Sequence, residues 1–275
     1  MTLRIMHNSM AITAHRMLTG SDAGVERSLE RLSSGYRINR AADDAAGLAK
    51  SEKLRADVRG LDQARRNTQD AISFVQIAEG ALEDVHAMLQ RINELAVAAA
   101  NIASSDGRAE QAEVTELLEQ IDKAGGSTTF AGMAVFGNGA VTFQVGAESG
   151  DSITMSTPAV TSAAIGDGVG PAVDLTAIDL TTDAADAIAT VRQAIDNITG
   201  LRAFIGAQQN RLQHTLNAQS YTFENLTASE SRIRDLDIAA ESVTLTRHQI
   251  MSQAGTAMLA QANTAPRQVL TLLNA

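Results

Sequence analysis

"DAADAIATVRQAIDNITGLRAFIGAQQNRLQ", Asp183 to Gln213, is the stretch whose periodicity decides the fold. Steps of seven from Val191 reach Ile198, Ile205, Leu212, Gln219, Leu226 and Ile233; steps from Ile188 reach Ile195, Arg202, Gln209, Leu216 and Phe223. A seven-residue apolar repeat held this long describes a narrow seam and a left-handed supercoil, a rod and not a helix sunk in a globule. Asp183 is placed to cap its start, with Asp186 following in a capping-box-like arrangement. No proline interrupts the pattern, so one helix is expected from Asp183 to Ile250, roughly 100 Å long at 1.5 Å per residue. Such a rod needs partners.

Upstream, the spacing is helical to about Ala124, with breaks at Gly35 and at "SSDG", Ser104 to Gly107, where the chain is expected to reverse. Ala71, Val75, Ala78, Leu82, Val85, Leu89, Ile92 and Ala96 advance by three and four, a stripe whose small residues permit close helix approach. Val114, Leu117, Leu118 and Ile121 mark a shorter third helix. From Gly125 to about Thr182, glycine, Ser/Thr and β-branched residues take over. There "VTFQVGAESGDSITM", Val141 to Met155, alternates apolar and polar on either side of a glycine turn, the pattern of a β-hairpin. The expected fold is mainly α: a long antiparallel helical bundle or coiled coil with a small β-hairpin region.

Composition agrees and excludes several functions. In 275 residues there are no tryptophans, two tyrosines, six phenylalanines and three prolines, the palette of long helices packed on small side chains. A net charge of −10 without clustered Lys and Arg argues against nucleic acid and against an anionic membrane. Cysteine is absent, so disulfides and thiolate metal sites are excluded. Arg4, His7, Asn8, His15 and Arg16 interrupt the first twenty residues, so no cleaved secretory signal is expected. No run approaches the roughly eighteen apolar residues of a membrane span. These facts alone read as a cytosolic chain. His7, His15, His86, His214 and His248 show no metal-ligand spacing, and neither H-E-x-x-H nor G-x-S-x-G occurs, so neither enzyme, metal nor cofactor is expected. "NIT" at Asn197 and "NLT" at Asn225 match the glycan pattern but lie on the expected rod, and are read as coincidence.

"RLSSGYRINRAADDAAGLA", Arg31 to Ala49, sits between helical neighbours. It lacks the spacing and the preceding strand of a phosphate loop, and the adjacent Asp43 and Asp44 point to different sides of a helix, which argues against paired catalytic carboxylates. It reads as a joint: Gly35 ends one helix, Asp43 and Asp44 favour the start of the next, and Arg37 and Arg40 are free to meet carboxylates of neighbouring copies. At the chain ends, Leu3, Met6, Met10, Met17, Val25, Leu29 and Leu32, and Leu236, Val243, Ile250, Ala257 and Met258, form thin apolar stripes on long amphipathic segments. Isolated helices of this kind are marginal in water, so both ends are expected to gain order only among other copies.

"ERLSSGYRINRAADDAAGLA" closely resembles the N-terminal signature of bacterial flagellin, continuing through "GLDQARRNTQDAISFVQIAEGALEDVHAMLQRINELAVAAAN". "TTFAGMAVF" and "FQVGAESGDSITM" are similar to that family's β-hairpin region, and "ASESRIRDLDIAAESVTLTRHQIMSQAGTAMLAQAN", Ala228 to Asn263, to its C-terminal signature. The opening "LRIMHNSMA" keeps only Ile5 and Asn8 of the usual start, and "PRQVLTLLNA" departs at its last residues. The resemblance implies a structural subunit that self-assembles into the helical flagellar filament, exported unfolded through the flagellum's type III apparatus without a cleaved signal, and so extracellular. It implies terminal inner-core helices (1–34 and 236–275) that pair, a linker (35–50), an outer-core bundle (51–124 and 183–235), and a small β-hairpin region with a short linker (125–182) in place of a large variable domain.

Linker and subunit-interface roles fall on Arg31, Leu32, Gly35, Arg37, Asn39, Asp43, Asp44, Arg232, Arg234 and Asp235. Implied partners are other copies, an export chaperone, a cap protein and the hook-filament junction protein. Toll-like receptor five of animal hosts is a further one, met through Arg91, Leu95 and Glu113; structurally, Leu95 is placed to pack, and Arg91 with Glu94 or Glu113 to pair with neighbouring subunits. Two alternatives are a hook-filament junction protein, against which the full "DDAAG" and "SRIRDLD" argue, and a non-polymerising helical adaptor.

Overall fold

The computed structural model describes residues 7–101, 107–137, 139–166 and 170–273, with side chains to residue 264. Leu3 and Met6 of the N-terminal stripe, and most of the "SSDG" reversal, lie outside the described residues. Helix α1 (Ser9–Ser34) leads through an irregular joint to α2 (Ala45–Ala99), and α3 (Arg108–Ser127) follows. Three antiparallel strand pairs come next: β1 (Thr129–Phe130) with β2 (Met133–Ala134), β3 (Gly139–Gln144) with β4 (Ser152–Thr157), and β5 (Val160–Thr161) with β6 (Ala164–Ile165). Helices α4 (Ala184–Arg234) and α5 (Ile238–Leu273) close the chain. The mainly helical architecture with a small hairpin region is the one expected. The chain divides into two units, Asp57–Glu224 and the two chain ends up to Ala56 and from Asn225.

The unit Asp57–Glu224 holds nearly all the apolar core. Every member of the α2 stripe from Ala71 to Ala96 is at most 1% exposed. Opposite it stand Val191, Ile198, Ile205, Leu212 and Gln219 of α4, all buried. The two helices run antiparallel, because Arg202 donates to Glu79 Oε1 (2.7 Å) while Gln219 Nε2 donates to Thr68 Oγ1 (2.9 Å). Gln219 Nε2 also donates to the Val145 carbonyl, tying the β3–β4 hairpin loop to the helices. The second stripe, Ile188, Ile195, Arg202, Gln209, Leu216 and Phe223, is only half-buried. The seam's other side is filled by Ala187, Ala194 and Leu201, one residue earlier in the repeat, where two alanines let the helices approach closely.

The hairpin seats its side chains on this seam. Register Val141↔Met155 and Phe143↔Ile153 turns Ile153 and Met155 inward, and Phe74 meets the rings of Phe143 and Phe130 edge-on at 5.5 and 5.9 Å. Thr157–Thr182, expected as a short linker, is instead packed. Val160, Ile165, Val173, Leu175, Ile178 and Leu180 are buried, irregularly spaced residues that no period could reveal. Asn197 of the first glycan-like triplet is buried and donates to the Ile165 and Pro171 carbonyls, so its amide is committed to holding this segment.

One expectation is corrected outright. The single helix from Asp183 to Ile250 is broken at Asp235–Asp237. Asp183 does cap its start, its Oδ1 accepting from the Asp186 amide (3.3 Å). At the break, Asp237 Oδ1 accepts from the amides of Ala239 (3.0 Å) and Ala240 (3.1 Å) and so begins α5, while Asp235 bridges to Tyr36 from the other end of the chain. A cap supplied locally and a main-chain partner about two hundred residues away stop the helix where neither proline nor glycine stands.

Candidate functional site

The joint is built from main-chain bonds first. Gly35 takes the left-handed conformation (φ 73°) that only glycine adopts readily, and its amide caps α1 on the Arg31 carbonyl (2.8 Å). The turned chain then pairs with the end of α4: Arg37 N donates to Arg234 O (2.7 Å) and Leu236 N donates to Gly35 O (3.0 Å). Arg37 Nη2 adds a bond to the Ile233 carbonyl (2.6 Å), the Arg234 guanidinium lies 4.8 Å above the Tyr36 ring, and Arg234 also pairs with Glu52. Ile38, 1% exposed, is the joint's apolar anchor, and it packs over Gly47, where a β-carbon would stand 2.8 Å from Ile38 Cδ1.

The adjacent aspartates divide the work. Asp44 Oδ1 accepts from the Gly47 amide (2.8 Å), so Asp44 alone caps α2. Asp43 faces back into the loop, its Oδ2 accepting from the amides of Arg40 (3.0 Å) and Asn39 (3.2 Å). Those two amides, the Arg40 bond foremost, hold its carboxyl below the ordinary range, with the Arg31 charge at 4.0 Å assisting. Arg31 also faces Glu241 of α5 (3.8 Å), and Glu241 accepts from the Ser28 hydroxyl (2.6 Å). Arg40, expected to seek a carboxylate on a neighbouring copy, pairs with Glu30 of its own chain (2.8 Å), and Asn39 reaches the same carboxylate (3.4 Å). Arg232 donates to Ser229, and Leu32 is half-buried on α1. Tyr36, Ile38, Glu30 and Glu241 complete the joint; they lie within the two terminal signatures, but no spacing of theirs assigns them to it.

The second feature is what α1 and α5 leave uncovered. They pair antiparallel: Asn8 caps α1 and donates to the Ala262 carbonyl (2.8 Å), and Ser252 donates to Asp22 (2.7 Å). His248 lies against Gly24, whose missing β-carbon would fall 2.6 Å from the imidazole. Small and polar side chains occupy the seam, with Ser21, Ser28 and Ala262 buried there. The larger ones stand outside: Met10, Ile12, Met17 and Leu29 on α1, and Ile238, Val243, Ile250, Met251 and Met258 on α5.

The third cluster lies near the C-terminal end of α2. Arg91 forks onto Glu113 of α3 (2.8 and 3.3 Å) and reaches Glu94 (3.2 Å), so its expected partners lie in its own chain; Glu113 first, then Glu94, hold the guanidinium charged more firmly than usual. Leu95 belongs to the core at 6% exposure. Among the described residues no group of three or more His, Asp and Glu is arranged to hold a metal ion, and no helix is long and apolar enough to cross a membrane.

Comparison with known proteins places this geometry. Residues 5–140 match the bacterial flagellin N-terminal helical region, and residues 188–273 match the bacterial flagellin C-terminal helical region. The flagellin of Halalkalibacterium halodurans is 45% identical, with 98% of this chain and 99% of the relative aligned; that of Bacillus subtilis is 40% identical, with 98% and 100% aligned. The structure of a putative flagellar hook-associated protein from Vibrio parahaemolyticus shares the fold, with a TM-score of 0.57 at 15% identity over 70% of this chain and 100% of that one. With family matches at both ends and full-length relatives above the level at which chance explains identity, the chain belongs to the bacterial flagellins.

Proposed function

We propose that this chain builds the flagellar filament by covering the bare faces of α1 and α5 with the same helices of other copies. As a flagellin it is a structural subunit of the filament outside the cell, and not an enzyme. One observation carries the proposed mode of contact. Nine of the thirteen large apolar side chains exposed among the described residues lie on the two terminal helices, which have no large side chain buried between them to hold them rigid alone. A contact in which one face meets a different face of the next copy does not close, and so grows a helical polymer and not a ring. The division of labour that fits is terminal helices 1–34 and 236–275 as an inner core, 35–50 as the linker, 51–124 with 183–235 as the outer core, and 125–182 as the hairpin region.

Seeded growth of purified protein, followed by electron microscopy and amide exchange, tests this. Long filaments of uniform diameter are expected, with the amides of α1 and α5 exchanging fast in the lone subunit and slowly in the polymer. Short plugs, soluble monomers, or slow exchange at both ends of a dilute subunit overturn it.

We propose the further contacts by resemblance to the family. Export runs through the flagellum's own apparatus with a chaperone holding the exposed helices, growth occurs beneath a cap protein, and the filament meets the hook through a junction protein. Toll-like receptor five, in this reading, meets the half-exposed Arg91–Glu113 pair, with Leu95 supporting it from beneath. A reporter-cell assay with monomer is expected to respond at nanomolar dose and to weaken in Arg91→Ala; silence at that dose overturns the receptor reading.

A further inference from the structure

Of the nine methionines, four line a single groove of about 500 Å³ between α1 and α5. Met10 and Met17 stand seven residues apart on one helix, Met251 and Met258 seven apart on the other. The antiparallel pairing set by Asn8 on Ala262 and Asp22 on Ser252 brings the four methionines to one stretch of the helix pair. All four are between 52% and 60% exposed, whereas Met155 is sealed in the core at 1%. Gly255, also lining the groove, lets α5 lie close against Leu18 of α1. A groove walled by four flexible, polarizable thioethers is adaptable to an apolar occupant, and among the described residues it holds the methionines most open to oxygen-donating oxidants.

We propose that this groove is an oxidation-sensitive assembly surface: peroxide-class oxidants convert its methionines to sulfoxides in the free subunit, and a subunit so modified no longer joins the filament. The inference rests on the reading that other copies cover these faces. In each event the thioether sulfur attacks one peroxide oxygen, the sulfur–oxygen bond forms as the oxygen–oxygen bond breaks, and the departing hydroxide takes a proton and leaves as water. Sulfur loses two electrons and the peroxide gains them. The product carries a strong acceptor oxygen where a dry contact must form, and covering it without a donor costs enough to raise the concentration needed for growth about tenfold or more. Once covered in the polymer, the same sulfurs are shielded, so the sensitivity belongs to subunits before they are placed.

The test uses full-length protein, hydrogen peroxide and filament seeds. Untreated protein must extend the seeds; failure there overturns the assembly reading and this inference with it. If untreated protein grows, treated protein is expected to carry sulfoxide at Met10, Met17, Met251 and Met258 by peptide mass mapping, to leave Met155 unmodified, and to need at least about a tenfold higher concentration for growth. Normal growth of protein oxidised at those positions, or resistance of those positions to peroxide, overturns the oxidation proposal alone. A variant carrying Met10→Leu, Met17→Leu, Met251→Leu and Met258→Leu is expected to grow equally with and without peroxide, and retained sensitivity counts against the proposal. Should that variant not assemble, treatment of oxidised wild type with methionine sulfoxide reductase decides: regained growth supports the groove as the cause, and no recovery rejects it.

Discussion

Asp57–Glu224 and the paired chain ends use the same long helices to opposite effect. In the first, the stripe from Ala71 to Ala96 and the repeat from Val191 to Leu212 are sealed against each other and roofed by Phe130, Phe143, Ile153 and Met155. In the second, α1 and α5 put serine, glycine and alanine in their seam and methionine, isoleucine and leucine outside. The first is a finished core. The second is half of one, and in the proposed mode of assembly copies of the same chain supply the other half. Exposed apolar faces of this kind mark surfaces that bury against a partner, so under the proposed function the difference separates the part that folds alone from the part that orders on assembly.

The largest expected effect that sharpens this contrast is Phe74→Ala, which removes a ring packed on two others at zero exposure. It destabilises the lone subunit by about 3–5 kcal/mol in denaturant titration. Gly35→Ala forces a β-carbon into a left-handed turn and costs about 1–2 kcal/mol, read as faster amide exchange at Gly35 and Leu236. Asp44→Ala removes the α2 cap for about 1 kcal/mol, read as fraying of the first turn of α2. Leu29→Ala, at 50% exposure, leaves the lone subunit's stability within about 0.5 kcal/mol yet slows seed extension; a large loss in the lone subunit would show the terminal face already buried and break the comparison.

The smallest effect is a pH effect at Asp43. Its carboxyl titrates below the ordinary 3.8, so its contribution is complete above that value and fades as pH falls through the lower folded one. Amide exchange at Asn39 and Arg40, faster in Asp43→Asn at neutral pH and converging with wild type in acid, checks it.

Much of this fold is legible in the residues themselves. The α2 stripe and the Val191 series are period signals, and period survives whatever the rest of the chain does. The companion stripe of α4 reads one residue out of place because Ile188 and Ile195 are larger than Ala187 and Ala194, and hydrophobicity draws the eye to size where the seam needs smallness. The break at Asp235–Asp237 escapes the pattern for another reason: its cap signal is weak, and its partners, Tyr36, Gly35 and Arg37, are remote in sequence. Arg40 and Arg91 read toward neighbouring copies for another reason: Glu30 and Glu113 of their own chain, only 10 and 22 residues away, receive them from a different helix, which no helical spacing shows. Which carboxylate Arg40 meets is decided by the turn at Gly35, a local fact with consequences along the chain.

Gln219 carries one more. A pattern that repeats every seven residues looks nearly the same after a slide of seven, and a chain made of such patterns has several almost equivalent ways to dock α2 on α4. The Thr68 hydroxyl and the Val145 carbonyl remove that ambiguity, because only the amide of Gln219 serves both, whereas a shifted pairing would press Leu212 or Leu226 against them. In a polymer grown from copies laid one on another, an offset in one subunit is inherited as misfit by every copy that touches it. The amide of Gln219, together with the Arg202–Glu79 pair, therefore acts as a ruler for how α2 lies on α4.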